Sequence, residues 1–215
     1  MTSSGATRPL VVLDCDSTTI QDEVIELLAE SAGTRELVAE ITERAMRGEL
    51  DFSASLAERV ATLAGTPESV FAEAYGKVRL SPGIRELIAA VHERGGKVGV
   101  VSGGFLEVVD LLAEDLGLDF WLANRLEVEN GRLTGRTLGA VIDAEAKAET
   151  LRAWAEQTDT PHEHTVAIGD GANDLKMMQI AALSIAYNAK PIVREYADVS
   201  IEDDFAQVIP LLDRL

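Results

Sequence analysis

Cysteine is nearly absent from this chain of 215 residues: the one thiol is Cys15. That excludes an internal disulfide framework and a cysteine-rich zinc site, and fits a reducing compartment. Aromatics are sparse at 5%, and basic side chains are outnumbered, 19 against 37 acidic ones, for a net charge of -18. Such a field repels nucleic acid and anionic membranes, so neither is expected as a partner, and a phosphate-bearing ligand needs a local cation or metal to hold it. No apolar run approaches the ~20 residues of a membrane span. The opening Met1 to Arg8 has no apolar segment and reads as a frayed terminus rather than a signal peptide, so a cytoplasmic protein is expected.

What is present is a repeated strand and helix pattern. Leu10-Val-Val-Leu13, Val98-Gly-Val-Val101 and Thr165-Val-Ala-Ile168 are apolar runs that stop at polar or glycine residues, as buried parallel strands do. Amphipathic segments lie between them: one opens at Ser81-Pro82 and ends at Gly95-Gly96, and others cover Leu106 to Leu116 and Ala144 to Trp154. This predicts an α/β fold, a Rossmann-like doubly wound parallel sheet. Two stretches interrupt it. Residues 22–78 carry four helical patterns separated by Gly33, Gly48 and Gly65-Thr66-Pro67, which predicts a small helical cap inserted after the first strand, with 1–21 and 79–215 as the core. Asn130-Gly131 between short alternating segments predicts a β-hairpin over Arg125 to Leu138.

Four groups of residues carry candidate chemistry. Asp14-Cys15-Asp16-Ser17-Thr18 follows the first strand, at the edge where open α/β sheets bind ligands. Two carboxylates two residues apart suit covalent phosphoryl transfer, one attacking phosphorus and the other moving protons; an Asp-rich turn capping the next helix would look the same. Gly169-Asp170-Gly171-Ala172-Asn173-Asp174 follows another strand and either helps hold a hard cation or is a glycine turn with a helix cap. Ser102-Gly103-Gly104-Phe105 offers a hydroxyl and successive backbone N–H groups to an anion. Lys147 is either a site cation or a solvated partner of Asp143, four residues before it.

In this order, DxDST, SGG, a lone lysine and GDGxND resemble the haloacid dehalogenase superfamily, and within it the branch acting on phosphoserine. The likeness runs from Leu10 through nearly the whole chain. It implies hydrolysis of O-phospho-L-serine to L-serine and phosphate, the last step of serine biosynthesis, by a magnesium-dependent monomer or homodimer. It implies Asp14 as nucleophile and metal ligand, Asp16 as general acid/base and metal ligand through its carbonyl, Asp170 as the remaining Mg2+ ligand, and Lys147 as the neutralising cation. Ser102, Gly103 and Asn173 would hold the phosphate, with Asp174 in support. Glu23 would meet the substrate ammonium, Arg59 its carboxylate, and Met46 and Phe52 the apolar side. To protonate a serine alkoxide, Asp16 needs a pKa raised toward ~6 to 7.

Rival readings are specific. Glu23 could serve only the start of a helix, and Arg59 could be occupied by Ser55 or Glu58. Transfer of the phosphoryl group to homoserine, hydrolysis of another small phosphomonoester, or a phosphoaspartate switch would use the same core; a carboxylate at Asp16 favours rapid hydrolysis over a lasting acyl phosphate. Cys15 reads as buried packing, and His162 and His164 as a surface loop, with no third metal ligand in sight.

Overall fold

The computed structural model describes residues 8–215, apart from the side chain of Met46. The expectation for the amino terminus therefore lies outside the described residues except at Arg8. Strand β1 (Leu10–Leu13) is followed by four helices, α1 (Val24–Ala32), α2 (Arg35–Met46), α3 (Phe52–Ala61) and α4 (Val70–Tyr75). Then come α5 (Ile84–Glu93), β2 (Lys97–Phe105), α6 (Leu106–Leu116), β3 (Phe120–Glu129) and β4 (Arg132–Leu138). The chain closes with α7 (Ala144–Gln157), β5 (Thr165–Gly169), α8 (Leu175–Ile180), β6 (Leu183–Tyr187), α9 (Pro191–Tyr196), β7 (Val199–Ile201) and α10 (Ile209–Leu212).

The seven strands form one sheet in the order β4-β3-β2-β1-β5-β6-β7, with every pair parallel except β3 and β4. All four residues of β1 are fully buried, because helices cover both faces. Val11 and Leu13 pack with Leu87, Val109 and Leu212, from α5, α6 and α10. Leu10 and Val12 join Leu151, Met177 and Val193, from α7, α8 and α9. A strand clad on both sides cannot alternate polar and apolar residues, which is why it reads as a run. Each such side chain contributes about 1.5–3 kcal/mol on burial. The chain leaves β1 for β2 on one side and later returns to β5 on the other, so the carboxyl end of β1 is a topological switch point.

The four-helix insertion is fastened at two places. At its stem, Ile20 and Leu80 form an antiparallel bridge, and Arg79 grips Asp22 through Nη2 to Oδ1 at 2.6 Å and its backbone N to Oδ2 at 2.8 Å. At its far side, residues 65–68 run against the predicted hairpin: Gly65 N donates to Leu133 O at 2.8 Å and Glu68 N to Gly131 O at 3.0 Å. The hairpin turns at Asn130-Gly131, both with positive φ, as two-residue hairpin turns demand. Its first strand is longer than the alternation suggested, because Phe120 to Leu122 pair in parallel with β2 before the strand continues into the hairpin.

Candidate active site

The carboxyl ends of β1, β2 and β5 open into one cavity of about 120 Å³. Asp14, Asp16, Glu23, Phe52, Arg59, Ser102, Gly103, Asp170 and Asn173 all line it. Every proposed site residue is thus brought to one place except Lys147 and Asp174, which lie buried beneath the floor, and Met46, which ends α2 with its side chain outside the described residues.

After β1 the backbone turns sharply. Asp16 is extended, and Ser17 takes φ 56°, ψ 5°, a left-handed conformation that costs a residue with a Cβ roughly 1 kcal/mol. The turn has compensations: Ser17 Oγ donates to Glu23 Oε1 at 2.7 Å, Thr19 Oγ1 to Asp14 O at 2.6 Å, and Ser81 Oγ to Thr18 O at 2.6 Å. Its effect is to fold Asp16 back, so that Oδ1 accepts the Val24 N–H at 3.3 Å at the start of α1. Glu23 stands at the N-cap of that helix, as the rival reading expects, but its carboxylate makes no capping hydrogen bond there and accepts from Ser17 Oγ instead.

Lys147 is fully buried and bridges two carboxylates, with Nζ 2.6 Å from Asp14 Oδ1 and 2.7 Å from Asp174 Oδ1. Asp143 is not its partner. That carboxylate instead caps α7, accepting the Glu145 and Ala146 N–H groups at 3.0 Å. The second oxygen of Asp174 holds the loop after β5, accepting from Gly171 N at 3.0 Å and Asp170 N at 3.2 Å. Asp174 packs so tightly beneath Gly169 that any side chain there would collide with its carboxylate. One buried aspartate therefore positions both the lysine and the Asp170 loop.

Oxygens of Asp14, Asp170 and Asp174 lie within 4.8 Å of one another, a cluster that could hold a metal ion. Their crowding shows in their acidity. Burial, then the charge of Asp174, raises Asp14 to about 7 despite Lys147. Burial and Asp174 likewise raise Asp170 to about 6. Asp16 is pushed well above the usual carboxylate range by burial and by the charges of Glu23 and Asp14. Burial opposes the charge on Lys147, but Asp14 and Asp174 outweigh it and hold its pKa above the ordinary lysine value. A set of buried carboxylates sharing too little positive charge is chemically suited to a hard divalent cation with oxygen ligands.

The carboxyl end of β2, Ser102 to Phe105, forms one wall of the cavity. Ser102 Oγ accepts the Gly104 N–H at 2.8 Å, and Asn124 ties this segment down, its Nδ2 donating to Gly103 O at 2.8 Å while Oδ1 accepts Ile142 N at 2.9 Å. A Cβ on Gly103 would sit 3.0 Å from Phe52 Cζ, so the ring lies directly over this segment. Asn124 is a buried organiser whose partners, Gly103 and Ile142, are remote in sequence, so no local pattern showed its task.

On α3, Arg59 Nε reaches the Ser55 carbonyl at 3.3 Å, and Glu58 is engaged by Arg44 at 2.6 Å. No carboxylate pairs with Arg59 among the described residues. The guanidinium thus lines the cavity with no ion-pair contact, although the charges of Glu23 and Asp16 act on it and partly offset the lowering of its pKa by burial. Cys15 is buried in the core, and burial followed by the charges of Asp16 and Asp14 pushes its thiol pKa up, as befits a packing residue. His162 lies exposed in a short turn before β5 with His164, and neither belongs to a metal-competent cluster among the described residues.

Residues 11–179 match the haloacid dehalogenase-like hydrolase family. The chain belongs to that family. Among relatives of this hydrolase, the phosphoserine phosphatase of Streptococcus thermophilus is 50% identical over 209 residues, covering 97% of either chain. The phosphoserine phosphatase of Streptomyces coelicolor is 54% identical over 200 residues, which are 93% of this chain and 49% of that longer protein. A solved structure of a phospho-aspartyl intermediate analogue of phosphoserine phosphatase superposes with a TM-score of 0.88 at 41% identity, covering 95% of this chain and 99% of the other. Among the described residues no helix is long and apolar enough to cross a membrane.

Proposed function

We propose that this hydrolase cleaves O-phospho-L-serine to L-serine and inorganic phosphate, as the relatives' names indicate for them, with Asp14 as the attacking group. The observation that carries the reading is the cavity itself. It pairs a lysine-held carboxylate at the end of β1 with an unpaired guanidinium on the inserted helices. Residues 22–78 act as a cap that presents specificity groups to a core formed by 1–21 and 79–215.

In this mechanism an Asp14 carboxylate oxygen attacks phosphorus while Asp16 gives its proton to the departing serine oxygen. The phosphorus–oxygen bond to serine breaks, leaving an acyl phosphate on Asp14. Asp16, now a carboxylate, takes a proton from water as that water attacks phosphorus, and the Asp14–phosphorus bond breaks to release phosphate. Lys147 offsets charge on Asp14 throughout, and Ser102, Gly103 and Asn173 hold the phosphoryl oxygens. Asp14, the Asp16 carbonyl and Asp170 would hold Mg2+. When bound, that ion supplies charge neutralisation for the phosphoryl oxygens and fixes their orientation. Glu23 meets the substrate ammonium, Arg59 its carboxylate, and Phe52, with Met46, bounds the apolar side.

Phosphate release across a panel of phosphorylated amino acids, sugars and nucleotides tests the reading, with homoserine added in a parallel arm. Phosphoserine should give the highest kcat/KM, with free phosphate as the product. Equal rates on sugar phosphates, accumulation of phosphohomoserine, or an acyl phosphate stable for minutes would each replace it.

A further inference from the structure

Among the described residues, the cavity is lined by four carboxylates, those of Asp14, Asp16, Glu23 and Asp170, and by two cations, Arg59 and Lys190. Even with Asp16 protonated for its acid role, three carboxylates face those two cations until a metal ion binds, inside a chain that already carries -18. Lys147 relieves this little at the mouth, because it is buried and committed to two carboxylates. Arg59 stands on the inserted helices, whereas Lys190 stands on the core, where the chain leaves β6.

The backbone fixes Lys190 and leaves its side chain free. Its N–H donates to the Asp170 carbonyl at 3.1 Å, and the residue caps α9 in an extended conformation. The side chain is exposed, lines the cavity beside Asp170, Gly171 and Asn173, and pairs with no carboxylate among the described residues. An ammonium on a flexible stem, tethered to the phosphate end of an acid-lined cavity, is suited to meet an incoming anion.

We propose that Lys190 is the phosphate-capturing cation at the mouth of the cavity, drawing the dianion past the surrounding carboxylates toward Asp14. This rests on the phosphatase reading but not on the identity of the alcohol. Its backbone contact with Asp170 supports the placement at that end of the cavity.

Steady-state kinetics of Lys190→Gln, run on phosphoserine and on p-nitrophenyl phosphate over a range of salt, test it. At low salt KM should rise about fivefold on both substrates with kcat nearly unchanged, and inorganic phosphate should inhibit more weakly by a similar factor. The parent-to-variant ratio of kcat/KM should approach one as salt screens the charge. Lys190→Arg should keep most of the parent's KM. A ratio independent of salt, a loss confined to kcat, or a loss confined to phosphoserine would overturn the proposal. Calorimetric titration of Mg2+ into chelator-treated protein adds a separate readout: the variant should bind the ion as tightly as the parent or more so, and weaker binding would mean that Lys190 organises the Asp170 loop rather than meeting the anion. A parent active on p-nitrophenyl phosphate but not on phosphoserine would end the substrate reading while leaving this test intact.

Discussion

Lys147 Nζ sits 2.6 Å from Asp14 Oδ1 and 2.7 Å from Asp174 Oδ1, with the lysine and Asp174 wholly buried. Two anions share one cation where water cannot screen them. Removing the cation strands both, so Lys147→Met should destabilise the fold by about 3–5 kcal/mol as well as abolish turnover. Urea unfolding measures the first effect and phosphate release the second. A variant as stable as the parent would show that the carboxylates simply protonate. Asp174→Asn keeps the shape but weakens the hold on Lys147 and the Asp170 loop; it should lower activity with a smaller loss of stability.

Asp14 and Asp16 divide the chemistry, and leaving groups can separate them. With Asp14→Asn, rapid quench should trap no phosphoenzyme from any substrate. With Asp16→Asn, the first step on phosphoserine should slow by ~10²–10⁴-fold, the usual contribution of a general acid, whereas p-nitrophenolate departs readily without a proton. Burst phases on the two substrates provide the comparison. Equal losses on both would take Asp16 out of the acid role.

Acidity raised by burial makes a stability prediction with a definite sign. Asp14 and Asp170, held at about 7 and about 6 against an ordinary 3.8, bind protons in the folded chain at pH values where the unfolded chain has lost them. Their contribution to stability is therefore full below about pH 4 and is lost as pH rises through about 6 to 7. Chelator-treated protein should show Tm falling across that window, with a shallower fall in Asp14→Asn. Added Mg2+ should counter the fall by favouring both ionised carboxylates. A parent and Asp14→Asn with the same slope would remove Asp14 as its source.

Much of this site was legible because parallel strands advertise themselves. Leu10 to Leu13 reads as an apolar run since both faces are clad, and a charged motif directly after such a run lies at the ligand edge of the sheet. Lys147 shows the limit of local reading. Its sequence neighbour Asp143 suggested a surface pair, yet Asp143 caps the helix and the true partners lie 133 and 27 residues away. Asn124 was equally silent, because its task of joining Gly103 to Ile142 exists only once β3 lies beside β2. Ser17 was legible as part of a motif but not as a strained left-handed residue, which takes the whole turn to enforce. Lys190, exposed and outside every motif, emerged only from the cavity.

Substrate choice turns on Arg59, whose guanidinium faces the cavity while its neighbour Glu58 is taken by Arg44. If Arg59 grips the substrate carboxylate, Arg59→Ala should cut kcat/KM for phosphoserine by ~10²-fold or more, in line with truncating one partner of a buried charge pair. Phosphoethanolamine keeps the ammonium and lacks the carboxylate. The parent should handle it poorly, and the variant should lose little on it, so the gap between the two substrates narrows. Glu23, held by Ser17 Oγ at 2.7 Å, should give the complementary result: Glu23→Gln should impair phosphoserine while sparing 3-phospholactate, which has no ammonium. Should Arg59→Ala reduce phosphoserine and phosphoethanolamine by one common factor, the arginine would be holding the inserted helices or the phosphate, and the choice of phosphoserine would lose its main physical support.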